Sequence, residues 1–147
     1  MAHGSAVRII YDQSFTGGKV MALITAIGAT ELTTTTGLID ASELNDAATD
    51  PRLSIEKISW NLRSAAGYFS IIFDATSNVT ALSLGGNGHW GKSHTAGLDA
   101  AITNNAGSGV TGDVIVTTTG FEAAETISVA LILKKESGYG TRSDYSG

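Results

Sequence analysis

The stretch ETISVALILKK, residues 125–135, carries the clearest structural signal in the chain. Ile127, Val129, Leu131 and Leu133 recur at every second position, so an extended chain places them on one face. Thr126, Ser128, Ala130 and Lys134 fall on the other, with Ile132 the apolar exception. That period of two is the mark of a half-buried strand. Working outward, YFSIIFD puts Phe69, Ile71 and Phe73 on one face, and DVIVTTT is β-branched at six consecutive positions, 114–119. β-Branched side chains fit a pleated surface and are stiff in a helix.

Two further strands change phase along their length. In RLSIEKISWNL, Leu53 and Ile55 share one face, whereas Ile58, Trp60 and Leu62 share the opposite one. A slip of that kind implies a β-bulge or a passage from one sheet to another. NVTALSL behaves alike, with Val79 out of phase with Leu82 and Leu84. AVRIIY, residues 6–11, reads as a short strand, and LTTTTGLI, residues 32–39, as another broken by Gly37. KVMALITAI, residues 19–27, fits both a helical template (Val20, Leu23, Ile24, Ile27) and a strand. Its β-branched content, and the glycines at 17, 18 and 28 that bound a run of nine, favour strand. The helix signal is IDASELNDA, where Asp40 caps and Glu43, three residues on, reaches back as a capping box, with Pro51 barring continuation. About eight strands and one short helix in 147 residues predict an all-β, single-domain β-sandwich, jelly-roll-like in strand count. The sandwich is expected over residues 1–137, and GYGTRSDYSG, within 138–147, as a flexible tail or arm.

Composition narrows the function classes. There is no cysteine, so disulfides and thiolate metal sites are excluded. The net charge is −5, and among scattered basic residues only Lys134 and Lys135 are adjacent, which offers no cationic face for a phosphate backbone. Nucleic acid is therefore not an expected partner. No apolar run approaches the roughly 20 residues that cross a bilayer, and the N-terminus lacks a secretory pattern. Neither a membrane nor export by a signal peptide is expected, and synthesis in the cytoplasm is. Eighteen glycines, eighteen threonines and 16% charged residues describe a neutral, threonine-rich exterior that suits packing against neighbours and also fits any β-sandwich.

Chemistry, if present, would gather in LSLGGNGHWGKSH, residues 82–94. Asn87-Gly88 is a strong hairpin-turn signal, and Trp90 beyond it can pack beneath the turn or present a flat face outward. Residues 86–93 match the phosphate-loop pattern G-x-x-x-x-G-K-S literally. A working phosphate loop joins a buried parallel strand to a helix, and glycines at 97, 107 and 109 leave little room for one. His89, His94 and Asp99 are spaced by five, which places strand residues on opposite faces. A metal needs three or four ligands converging at about 2.0–2.2 Å. No G-x-S-x-G elbow occurs, and the pairs Asp40 with Glu43 and Glu122 with Glu125 are explained by capping and surface turns. No catalytic residue, cofactor or metal is expected. The connection 85–112 is 28 residues long with eight glycines, unusual inside a compact domain, and AGLDAAIT within it could form a helical turn.

The segments ISWNLRSAAGYFSIIFDATSNVTALSLGGNGHW and SGVTGDVIVTTTGFEAAETISVALILKK, with the loop between them, resemble small virion structural proteins of marine and cyanobacterial tailed phages. The likeness lies in a tryptophan-bearing strand before FDAT (73–76), a GNG turn with an aromatic (Asn87, Gly88, Trp90), TGD leading into a strand that ends TT-G (111–120), and a last alternating strand ending in lysine. It covers roughly residues 55–135. It implies a capsid decoration, or cement, protein: a β-sandwich assembled as a homo-trimer on the outer capsid surface, with the major capsid protein as partner. A tail or neck component is the alternative. The contacts expected from this reading are Val7, Ile9 and Tyr11 in the first strand, Asn87, His89 and Trp90 in the loop, and Tyr139 and Tyr145 in the tail. A rival is a carbohydrate-binding jelly roll, its glycan stacked on Trp60, Trp90, Tyr68 or Tyr139.

Overall fold

A computed structural model describes residues 3–27, 32–91, 101–122 and 124–140. It shows two antiparallel sheets packed face to face as a β-sandwich. The strands are β1 (Val7–Asp12), β2 (Lys19–Ile27), β3 (Leu38–Ile39), β4 (Ala47–Arg63), β5 (Tyr68–Phe73), β6 (Val79–Leu84), β7 (Asn87–Gly91), β8 (Val114–Thr119) and β9 (Thr126–Tyr139). The five-stranded sheet runs β1-β2-β9-β4-β7 and the four-stranded sheet β3-β8-β5-β6. Nine strands among the described residues, five and four, stand where about eight were expected.

The stretch at 125–135 becomes most of β9, the centre of the larger sheet, paired along its length with β2 and β4. Ile127, Val129, Leu131 and Leu133 are buried, facing Phe69, Ile71 and Phe73 of β5 and Val114 and Val116 of β8 in one core. KVMALITAI is strand β2, with Val20, Ala22 and Ile24 fully buried. Alternation won over the helical template because the run has a flat sheet neighbour on each side.

Both phase changes are bulges. In β4 the register with β9 shifts between Ile55 and Lys57, so Glu56 is the extra residue and both apolar sets turn inward. In β6 the register with β5 shifts so that Ala81 is passed over, which reconciles Val79 with Leu82. A one-residue insertion is what restores inward facing when the alternation slips.

Four local expectations differ. The threonine run is a turn over 34–37, and only Leu38–Ile39 is strand. There the Thr33 hydroxyl accepts from Thr35 N and Thr36 N, and Thr36 Oγ1 accepts from Thr33 N. Short hydroxyl side chains offer the backbone that alternative to a ladder. The expected helix is one 3₁₀ turn, Ala41–Glu43, capped by Asp40 Oδ1 on Ser42 N. The Asp40 N–H donates to His3 Nδ1. Asn87-Gly88 is no hairpin turn: the chain turns at 85–86 and Asn87 opens β7, which pairs with β4 in the other sheet. Finally, β9 continues to Tyr139, so the sandwich outlasts the boundary placed at 137.

Candidate functional site

The ladder partners align residues into rows across the larger sheet. Val7, Ile24, Val129, Trp60 and Gly88 form one row, and Ile9, Ala22, Leu131, Ile58 and Trp90 another. Both rows face the core. Arg8, Leu23, Ala130, Ser59 and His89 form the intervening row, which faces outward. This register sorts the expected contact residues. Tyr11, Asn87 and His89 are exposed on the outer face, Tyr11 to 42%, at opposite edges of the sheet. Val7, Ile9 and Trp90 point inward and pack partly buried against the core. Tyr139 is only 6% exposed, and its hydroxyl donates to Ala41 O at 2.8 Å, so it is a core residue and not a contact in an arm. Burial holds its phenol above the ordinary range. Tyr145 lies outside the described residues.

Both tryptophans are half-buried and pack against the core. Trp60 meets Phe69 edge-on, with ring centroids 6.1 Å apart at 66°, and its Nε1 donates to Gly85 O at 3.0 Å. Opposite it, a Cβ on Gly88 would come within 2.8 Å of Trp60 Cζ2, so the glycine lets the indole lie flat across the strand. Tyr68 is the one member of the expected stacking set that is exposed, at 44%.

The phosphate-loop pattern falls on strand: residues 87–91 are β7, hydrogen-bonded to β4 from Lys57 to Asn61, so their amides are not arrayed around an anion. Lys92, Ser93, His94 and Asp99 lie outside the described residues. Among the described residues no three His, Asp or Glu side chains are placed to hold a metal. The described part of the long connection is packed on the body. Ile102 exchanges both backbone hydrogen bonds with Ile55 as an isolated bridge, and residues 96–100 of AGLDAAIT lie outside the described residues. Ala106 is buried, Thr76 N donates to Ser108 O, and Thr111 N donates to Asp74 O. The segment thus crosses from the edge of one sheet to the other.

Two arrangements were not anticipated. The first is a buried ammonium. The inward phase of β9 runs on past Leu133 to Lys135, which is 0% exposed. Its Nζ donates to Asp12 Oδ1 at 2.5 Å, to Asn45 O at 2.7 Å and to Gln13 O, and lies 4.9 Å from the Tyr139 ring centroid. Three donors meet three acceptors, which is how a lysine is tolerated in a core. Asp12 Oδ2 in turn accepts from Asn45 N at 2.7 Å. The end of β1, the start of β4 and the end of β9 are tied at one point. Beside it, Asp113 Oδ1 accepts from Ala41 N, and burial pushes the Asp113 carboxyl up to about 6 against that bond, with help from Asp40.

The second is the outer face of the larger sheet. Its middle is small and neutral: Ser59, Asn61, Ser128 and Ala130 surround a shallow hollow of about 270 Å³ beside Leu23. Around it the register collects Arg8, Lys19, Lys57, Arg63 and Lys134, five of the nine basic residues, against Glu56 and Glu136. The scattered basic residues do share a face, because period-two alternation brings together what the linear sequence separates. Glu56 and Glu136 are each engaged, by Lys19 Nζ at 2.6 Å and by Ser54 Oγ at 3.0 Å.

Comparison with family models, curated proteins and solved structures returns no match.

Proposed function

We propose that this chain is a virion structural protein, a decoration protein that binds the outer shell of a phage capsid between capsomers and stiffens it, acting by contact and not as an enzyme. The observation that carries the reading is the outer face of the five-stranded sheet. It is broad, mostly neutral at its centre and lightly hollowed, and Arg8, Ser59, Asn61, Arg63 and Ser128 on it are exposed. A surface of that kind offers area for a protein neighbour, another copy of the chain included, and no enclosed place for a small molecule, which favours a role by contact. The likeness of residues 55–135 to small phage virion proteins supplies the setting.

A body that serves as a rivet must keep its shape under load. The first and last strands here are joined through β2 and by the Lys135–Asp12 bond. Weak contacts repeated over a lattice then add by multivalency. Assembly as a trimer, the major capsid protein as partner, and a place on the outer capsid surface belong to the same proposal. The test is co-sedimentation with emptied, expanded shells of the encoding phage. Saturable binding at a fixed ratio to the shell protein is expected. A chain that stays in the supernatant at every concentration sinks the reading, and capture by tails instead of shells would move it to the tail or neck alternative.

A further inference from the structure

We infer that the outer face of the five-stranded sheet receives the acidic end of a second copy of this chain, in a head-to-tail contact. This rests on the assembly part of the proposed function and says which surfaces make it. The occupant follows from charge. The face carries five cations against two carboxylates, while the chain as a whole is at −5. The compensating negative charge is concentrated at one end of the sandwich. Asp40 follows β3, Glu43 sits in the 3₁₀ turn, Asp46 and Asp50 flank the start of β4, Asp74 follows β5 and Asp113 precedes β8. Backbone and side-chain bonds fix these segments to one another: Ala41 N to Asp113 Oδ1, Asp74 N to Asp113 O and Gly140 N to Asp46 O. Glu43, Asp46 and Asp50 are exposed.

Two copies cannot pair face to face without setting cations against cations, nor end to end without setting carboxylates against carboxylates. Face to end brings opposite signs together. Such a contact is heterologous, so it closes into a ring or runs on as a filament, and a ring of three is the closed form the assembly reading calls for. Strand spacing of about 4.8 Å over five strands and a rise of about 3.4 Å over the nine residues of β9 from 126 to 134 give a face of roughly 500 Å². That is below the roughly 800 Å² per partner of a stable pair, so one contact alone is transient and closure is what makes it persist.

The experiment is sedimentation of the full chain at ionic strength about 0.01 M and about 1 M, where charges act over about 30 Å and about 3 Å. Three forms are compared: the unaltered chain, a face variant (Arg8→Glu with Lys57→Glu) and an end variant (Glu43→Lys with Asp46→Asn and Asp50→Asn). The unaltered chain is expected to associate at low salt and to be monomeric at high salt, with each variant monomeric throughout. Mixed in equal amounts at low salt and high protein concentration, the two variants should form a one-to-one dimer that dissociates on dilution, and nothing larger, because one retains the face and the other the end. That dimer also shows both variants to be folded. A second disruption, Ser59→Tyr, fills the hollow without changing charge and should abolish association as well. A chain that is monomeric at low salt, an assembly that survives either variant, or a mixture that yields no dimer overturns the inference, as does a face that binds nucleic acid while the chain stays monomeric. A monomer that still coats shells would sink this interface and spare the decorating role. An assembly that ignores shells would do the reverse.

Discussion

Replacing Lys135 by Met tests whether one buried ammonium holds the sandwich shut. Methionine keeps the length of the side chain and removes the three donors. Asp12 Oδ1, Gln13 O and Asn45 O then lose their shared partner. The Asp12 side chain is 14% exposed, so water replaces little of what the ammonium supplied. Removing one partner of a buried ion pair costs about 3–5 kcal/mol. Each carbonyl left without a donor adds to the strain on neighbouring chain, partly offset as the Asp12 end relaxes toward solvent. A loss of about 4 kcal/mol is the expected balance, and at about 2–4 °C per kcal/mol for a domain of this size Tm falls by roughly 8–16 °C. The assay is urea and thermal unfolding followed by circular dichroism, with Asp12→Asn and the double variant completing a cycle. Asp12→Asn keeps an acceptor for the ammonium. In the double variant no charge is left unpaired, so it should lose less than the sum of the singles by more than about 1 kcal/mol. A loss under about 1 kcal/mol for Lys135→Met, or strict additivity in the cycle, would show that the three-way bond is not what closes this end.

Two other perturbations follow from the same end of the molecule. The Asp113 carboxyl titrates at about 6 when folded against an ordinary 3.8, so the folded chain binds its proton more tightly and stability falls as pH rises from about 4 through about 6. Asp113→Asn keeps an oxygen for Ala41 N, and the difference between its urea midpoint and that of the unaltered chain should change across that window by about 1–3 kcal/mol; a constant difference from pH 4 to 7 refutes it. Gly112 has φ +85, and a Cβ there would overlap Pro51 O, so Gly112→Ala should be strongly destabilising, measured as a drop in Tm and faster hydrogen exchange at Thr111 and Asp74. A silent substitution would mean that the crossing segment is not seated against β4.

The core faces of the sandwich were legible because alternation is a local property. Ile127 to Leu133, Phe69 to Phe73 and the slip at Glu56 could be read without knowing any neighbour, and the slip even located the bulge. Lys135 shows where that reading stops. The period of two placed it inside, but a lysine reads as solvated unless its acceptors are known, and Asp12 lies 123 positions away. The threonine run failed for the opposite reason: residue type argued for strand, while hydroxyls bonded to amides two and three residues off turned the chain. Asn87-Gly88 carried a genuine turn signal that the two glycines before it pre-empted. The outer face was illegible because it exists only once Arg8, Lys57 and Lys134 are brought into register by three different pairings.

The proposed role of this chain is to cover a phage shell. Its decisive test is to count the protein, by quantitative mass spectrometry against the major capsid protein, in purified particles of a phage that carries its gene. A fixed stoichiometric ratio to the shell protein is expected, with the chain labelled from outside on intact particles. Absence from the particle, or a handful of copies that remain with the tail when heads are separated, would contradict it.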